Sequence, residues 1–300
     1  MRDIALGQYY PSDSIIHRMD PRSKIIISVM YLVAIFFINT YTVYLITFLL
    51  LFFVILLSRI PIKLVLKSIK PMLYLILFTT IINLFFTSTK DSTFVINLYL
   101  KKWVVNNNIF NVKWGFLHIR MTWTGIDNAL KMAFRLILLV MGPSLLTLTT
   151  TPVTLTDGVE ALMKPLRIFR FPVHELALIM SITLKFIPTI MEETDKIMMA
   201  QRARCADFDS GNLFKKAKAM LPVLIPLFVS SLRRAEELAY AMDSRCYRGS
   251  KGRTKMKVLK MSFRDYLALF LIAAFLFMIL AIKYNWFNIW FGINIFSYLV

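Results

Sequence analysis

Apolar positions run without a single charge from Ile25 to Ser58. One helix of that length would measure about 50 Å, against a bilayer core of about 30 Å. The pattern therefore predicts two spans joined near Asn39-Thr40. Asp20-Pro21 ahead of them reads as a helix start, with Asp as cap and Pro at the first position. A basic connector follows at Arg59, Lys63, Lys67 and Lys70, then a third span over about 71–86. Residues 88–128 are polar and rich in Asn, Trp and β-branched types, and they alternate over Phe94–Leu98. They predict an extramembrane loop containing a hairpin, lying at the interface through Trp103, Trp114 and Trp123. A fourth span is expected over 132–150, with Arg135 near one end and a kink at Gly142-Pro143. A fifth is expected over 266–282. The tail from Tyr284 to Val300 is aromatic-rich and reads as interfacial or re-entrant.

Between the fourth and fifth spans the pattern changes to charged, amphipathic helix. Asp157 with Glu160 resembles a helix start, and Pro165 and Pro172 punctuate. Val173 to Ala206 reads as one long helix whose apolar face is interrupted by Glu175, Lys185 and Pro188, too charged for a span. Asp209-Ser210-Gly211-Asn212 reads as a turn. A helix from Leu213 is expected to break at Pro222 and Pro226, and the last one to stop at Tyr247-Arg248-Gly249. Lys251 to Lys260 forms a basic linker. The fold class expected is thus an all-α polytopic membrane protein with about five transmembrane helices and a charged helical domain. The division is a four-span membrane part over 1–150, the charged domain over 151–262, and a last span with its tail over 263–300.

Composition agrees with that division. The chain is 58% hydrophobic and 18% charged, with mean hydropathy +0.64, where soluble domains average about 45–50% apolar and about 25% charged. The net charge is +19, but the Lys and Arg flank apolar spans, so topology accounts for them and no nucleic-acid partner is expected. The basic N-terminus (Arg2, Arg18, Arg22, Lys24), the 59–70 connector and the charged domain should be cytoplasmic. Five spans then place the C-terminus outside a cell membrane. The first apolar run is too long for a cleaved signal peptide.

Candidate chemistry is sparse. Two cysteines and three scattered histidines (His17, His118, His174) form no metal-binding or disulfide pattern. No phosphate-loop sequence, Ser/His/Asp set or HExxH motif occurs, so no cofactor or metal is expected on this chain and it should not hydrolyse ATP alone. The expected spans almost lack carboxylates, unlike an ion-coupled carrier.

What stands out is a duplication. Ala200-Gln201-Arg202-Ala203-Arg204-Cys205 and Ala241-Met242-Asp243-Ser244-Arg245-Cys246 lie 41 residues apart. The same offset aligns Asp195 with Glu236, Ile197 with Leu238 and Gly211 with Gly252. Each stretch ends a helical pattern on an arginine flanked by small residues, Ala203 and Cys205 in one and Ser244 and Cys246 in the other. A guanidinium fork suits bidentate contacts to carboxylates and carbonyls, and two equivalent tips suit a partner with two equivalent sockets. Nearby, Met220 to Val229 forms an apolar run inside the charged domain, with Met220, Leu221, Leu224, Leu227 and Phe228 as candidate contacts for another membrane protein. Methionine is frequent in the chain, 17 in all, and flexible Met-rich surfaces adapt to partners.

Several segments resemble one family. Gly7-Gln8-Tyr9-Tyr10-Pro11, Asp13-Ser14 and His17-Arg18-Met19-Asp20-Pro21-Arg22-x-Lys24 look like the opening of the transmembrane T component of energy-coupling factor (ECF) transporters. Pro172-Val173-His174-Glu175-Leu176, Phe186-Ile187-Pro188-Thr189, Gln201 to Phe208, and Ala241-Met242-x-x-Arg245-Cys246-Tyr247-Arg248-Gly249 are similar too. The family's tripeptide usually reads Ala-Arg-Gly, and here Cys replaces Gly at both sites and Ser replaces Ala at the second. The resemblance implies a non-enzymatic scaffold of an ABC-type importer. Its coupling helices would insert Arg204 and Arg245 into grooves of two ATPase subunits, which hold the ATP-Mg. The apolar side would carry a substrate-binding membrane S component for a vitamin or similar micronutrient. Two other readings compete on the residues alone. A membrane-embedded enzyme would use Arg204 and Arg245 as clamps on lipid or phosphate, and an insertase or scaffold would use the basic domain structurally. The enzyme reading needs a carboxylate or histidine cluster near the membrane surface, which the sequence lacks.

Overall fold

The computed structural model describes residues 9–86, 93–98, 101–106, 108–114, 117–169, 171–206, 208, 213–249, 259 and 261–283. The expected turn at 209–212 and the tail from 284 lie outside them, as does nearly all of the 251–260 linker. The chain forms two compact units. One takes the described residues of 7–151 and 259–300, the other those of 152–258.

The first unit begins at α1 (Pro21–Phe37), where Asp20 caps the helix by accepting from the Arg22 amide at 2.9 Å and Pro21 holds the first position. The chain turns at Ile38-Asn39-Thr40 and enters α2 (Tyr41–Ser58). That turn has an unexpected partner. Arg135, from α5, donates to the Ile38 carbonyl at 2.6 Å, to Asn39 Oδ1 at 3.1 Å and to the Tyr44 hydroxyl at 3.1 Å. A charge on a membrane helix is tolerated when it is satisfied by such carbonyls. Arg59 ends α2 in the left-handed conformation (φ 54°). The basic connector is itself helical: α3 (Ile62–Ile69) runs through a 3₁₀ turn at Lys70–Met72 into α4 (Leu73–Phe86). Two antiparallel hairpins follow, β1 (Thr93–Leu98) with β2 (Lys101–Asn106), and β3 (Asn108–Trp114) with β4 (Leu117–Thr122). The side chains of Trp103, Trp114 and Trp123 lie outside the described part. Among the described residues the fold is all-α apart from these hairpins.

The fourth expected span is longer at its start. Helix α5 covers Trp123–Thr149 rather than beginning near Met132. Its first turns are held by an Asp127–Lys131 pair at 2.7 Å and by the Tyr41 hydroxyl donating to Asp127, an i,i+4 support hidden inside a polar stretch. Helix α9 (Phe263–Lys283) completes the unit. The core joins Tyr31, Ala34 and Ile35 of α1, and Ile38 just after it, to Leu138, Met141, Leu145 and Leu148 of α5 and Ile272, Phe275 and Ile279 of α9.

Gly142 sets how closely α1 and α5 approach. A Cβ there would fall 2.3 Å from Tyr31 Cε1. Tyr31 cannot swing away freely, because it is buried and its hydroxyl donates to the Leu138 carbonyl at 3.1 Å. Gly142→Ala should therefore destabilise the unit by about 1–3 kcal/mol, the usual range for overpacking. Thermal unfolding of the detergent-solubilised protein reads this, and an unchanged midpoint would show that the ring yields.

A buried polar node ties three helix ends together. Lys24 Nζ donates to the His17 carbonyl (3.2 Å), the Thr149 carbonyl (3.0 Å) and Thr150 Oγ1 (3.3 Å). Asp265, 1% exposed, accepts from the Asp20 amide (3.0 Å), Ser23 Oγ (3.0 Å) and the Ser262 amide (2.7 Å). The last bond is the carboxylate half of a capping box at the start of α9. His17 sits beside the node. Its Nε2 donates to the Tyr10 carbonyl at 3.0 Å, which leaves Nδ1 to accept from Ser14 Oγ at 2.7 Å. Burial lowers the His17 pKa, keeping the ring neutral for this role.

The second unit holds α6 (Pro152–Met163), a 3₁₀ stretch over Lys164–Phe169, α7 (Val173–Ala203) and α8 (Leu213–Ser244). Three expectations need correction here. Helix α6 starts at Pro152, so Asp157 and Glu160 lie inside it, the proline supplying the start signal. Helix α8 does not break at Pro222 and Pro226. Both prolines are exposed while Val223 between them is buried, so the backbone bonds they remove face outward and the packed side keeps the helix intact. Helix α8 also ends at Ser244, five residues before Gly249.

Among the described residues, five helices are long and apolar enough to cross a membrane by length and composition: Tyr41–Ser58, Ile62–Asn83, Gly125–Thr149, Val173–Ala203 and Phe263–Lys283. The set differs from the expected one. Helix α1 has 17 residues and reaches about 25 Å, whereas α7, expected to be too charged, qualifies through its apolar first half.

Candidate functional site

The two repeated stretches finish α7 and α8 in the same way. At the first, the Cys205 amide donates to the Arg202 carbonyl (3.0 Å) and the Ala206 amide to the Gln201 carbonyl (3.0 Å). At the second, the Cys246 amide donates to the Asp243 carbonyl (2.9 Å) and the Tyr247 amide to the Met242 carbonyl (3.1 Å). Every donor and acceptor of one end maps onto the other under the offset of 41 residues. The 6→1 and 5→2 bonds are those of a helix closed by a left-handed residue just past its cap. Arg204 and Arg245 are thus the cap residues, one step beyond Ala203 and Ser244, and the cysteines occupy the left-handed position.

Both arginines and both cysteines are exposed. Neither Arg204 nor Arg245 makes a side-chain hydrogen bond or ion pair with another described residue. Two unspent guanidinium groups therefore stand at geometrically matching helix ends, where the macrodipole favours positive charge and an outside acceptor can reach them.

Cys205 has φ 63° and Cys246 φ 54°. A side chain in this conformation is strained by about 1–2 kcal/mol, which glycine avoids. The Gly-to-Cys departures therefore fall at the one backbone position of each motif that glycine fits best. Cys205→Gly and Cys246→Gly should each stabilise the protein by about 1 kcal/mol and leave transport unchanged. Denaturant unfolding checks this, and a destabilised variant would mean that the thiol makes a contact worth more than the strain.

The apolar run in α8 is also exposed. Met220, Leu221, Leu224 and Phe228 all face outward, Phe228 at 65%, together with Ile225 and Val229. Leu227 is half-buried and Val223 is buried. The stripe is an exposed apolar face, of the kind that meets another protein or a membrane. The sequence reading missed a contact between α7 and α8, in which Glu193 meets Ser230 and Arg234.

The chain matches the CbiQ family model, described as cobalt transport protein, over residues 12–256. It is 47% identical over 287 residues to the energy-coupling factor transporter transmembrane protein EcfT of Ruminiclostridium cellulolyticum, covering 96% of this chain and all of that relative. The chain belongs to the EcfT family. The EcfT protein of Clostridium kluyveri is 47% identical over 268 residues, covering 89% of this chain and 92% of its own. That of Streptococcus thermophilus is 41% identical over 274 residues, covering 91% and 96%. This EcfT-family chain is therefore a multi-pass membrane protein and the transmembrane component of an ECF transporter. Both arginine ends lie within the stretch that the family model matches.

Proposed function

We propose that this chain couples ATP hydrolysis by two ABC-type ATPase subunits to movement of a substrate-binding S component that delivers a vitamin or similar micronutrient. The observation that carries this reading is the pair of matching helix ends, each presenting an exposed arginine whose side chain bonds no other described residue. A partner holding two such ends in equal sockets must itself be duplicated, and a pair of ATPase subunits has that symmetry. ATP-Mg would bind only to those subunits, and their approach would move the tips and, through α7 and α8, the S component. The outward stripe at Met220, Leu221, Leu224 and Phe228, with half-buried Leu227 beside it, is the surface assigned to that component.

Charge asymmetry supports a cytoplasmic N-terminus and a cytoplasmic domain over 151–262. In this arrangement α7 lies with that domain: Glu192, Glu193, Asp195 and Lys196 crowd its second half, and a bilayer would desolvate them at high cost. Helix α1 then supplies the fifth crossing, and the C-terminus lies outside. Affinity purification from the native membrane should bring down two ATPase chains and one small hydrophobic protein per subunit. Recovery of the chain alone, with transport intact, would refute the reading.

A further inference from the structure

The offset of 41 residues that relates the two arginines also relates Glu193 to Arg234, and these two residues touch. Arg234 Nη2 donates to Glu193 Oε2 at 2.9 Å, while Ser230 Oγ donates to Glu193 Oε1. Both carboxylate oxygens of an α7 residue are thus taken by α8. The Arg234 guanidinium also lies over the Phe186 ring, 5.8 Å from its centre. Phe186 and Glu193 lie two turns apart on one face of α7, and Ser230 and Arg234 one turn apart on one face of α8. Both members of the pair are mostly covered, at 30% and 24% exposure.

Equivalent positions of the two repeated helices thus meet each other, as residues do at the centre of an isologous interface. A residue at such a centre faces its own counterpart. Two glutamates or two arginines there would repel; this chain places opposite charges, and the like-charge problem disappears. The meeting point also fixes the levers. Glu193 precedes Arg204 by 11 residues and Arg234 precedes Arg245 by 11, so both tips stand about 16 Å along their helices from the same point.

We propose that the Glu193–Arg234 pair is the pivot that sets the spacing of the two arginine tips, and that it positions them for simultaneous engagement of their sockets. Its role in coupling rests on the function proposed above. The spacing itself does not, and it can be read in the isolated subunit. Glu193 and Arg234 act here as positioning residues, touching neither ATP nor substrate.

Cys205 and Cys246 are the two cysteines of the chain, and each follows a tip arginine, so spin labels on them report the tip-to-tip distance without further engineering. In the full chain in nanodiscs, the native protein should give one narrow distance distribution. Glu193→Ala and Arg234→Glu should each broaden it, and on unlabelled protein each should lower uptake by about tenfold or more with the ATPases still bound. The charge swap, Glu193→Arg with Arg234→Glu, should restore both the narrow distribution and uptake, which a generally damaged fold could not do. Unchanged width in the single variants, or a swap that restores neither readout, would overturn the pivot. Broadened distances with full uptake would overturn its role in coupling, whether or not the ATPases are found to bind the tips.

Discussion

Arg204→Glu and Arg245→Glu are each expected to abolish uptake while the subunit remains folded in the membrane. Losing one side of a buried, charge-assisted contact at an interface costs about 2–5 kcal/mol, and a like-charged replacement adds repulsion. At tenfold per 1.4 kcal/mol, even the lower end weakens docking by more than an order of magnitude. The fold should feel little of this. Both side chains are exposed, and a carboxylate at a helix C-terminus costs only about 0.3–1 kcal/mol. Arg→Lys should fall between, since the ammonium keeps the charge but loses the planar fork. Each single variant should keep one ATPase contact, and the double variant should lose both. Uptake in vesicles and ATPase recovery in a pull-down read these effects separately. Normal uptake with both arginines replaced would remove their assigned role.

Asp265→Ala is expected to have the largest effect on stability. It strips acceptors from the Asp20 amide, the Ser23 hydroxyl and the Ser262 amide. It also leaves the Lys24 ammonium buried with less negative charge nearby. Breaking such a buried charged network costs about 3–5 kcal/mol, a large part of a typical total of about 5–15 kcal/mol. The variant should be recovered poorly from the membrane and unfold well below the native midpoint in detergent. Asp265→Asn keeps one acceptor oxygen and should be milder. A native midpoint for Asp265→Ala would mean that water replaces the carboxylate and that the node holds nothing together.

Local signals were legible in the sequence, and distant pairings were not. Asp20-Pro21 announces the start of α1, and Asn39-Thr40 marks its turn into α2, because capping and turn chemistry act within a few residues. The arginine ends were legible because duplication repeats the same short-range bonding at Cys205 and Cys246. The node was not, since Lys24 meets Thr149 and Asp20 meets Asp265 across most of the chain and no periodicity reports such a contact. The continuity of α8 through Pro222 and Pro226 was hidden for a different reason. Proline breaks a helix where its lost bond would be buried, and burial is a tertiary property. Glu193 and Arg234 are an intermediate case. The offset that aligned the tips also aligns this pair, but only the structure brings the two residues together.

The most direct test of the two-socket account uses the native thiols. Cys205 and Cys246 are exposed in this subunit, and each adjoins a tip arginine. A membrane-impermeant maleimide applied to the cytoplasmic face should label both in the isolated subunit and label both slowly in the assembled transporter. Arg204→Glu should restore fast labelling at Cys205 alone, and Arg245→Glu at Cys246 alone. Equal labelling rates with and without the ATPases would contradict the account, leaving the arginines as helix ends matched only to their own dipoles.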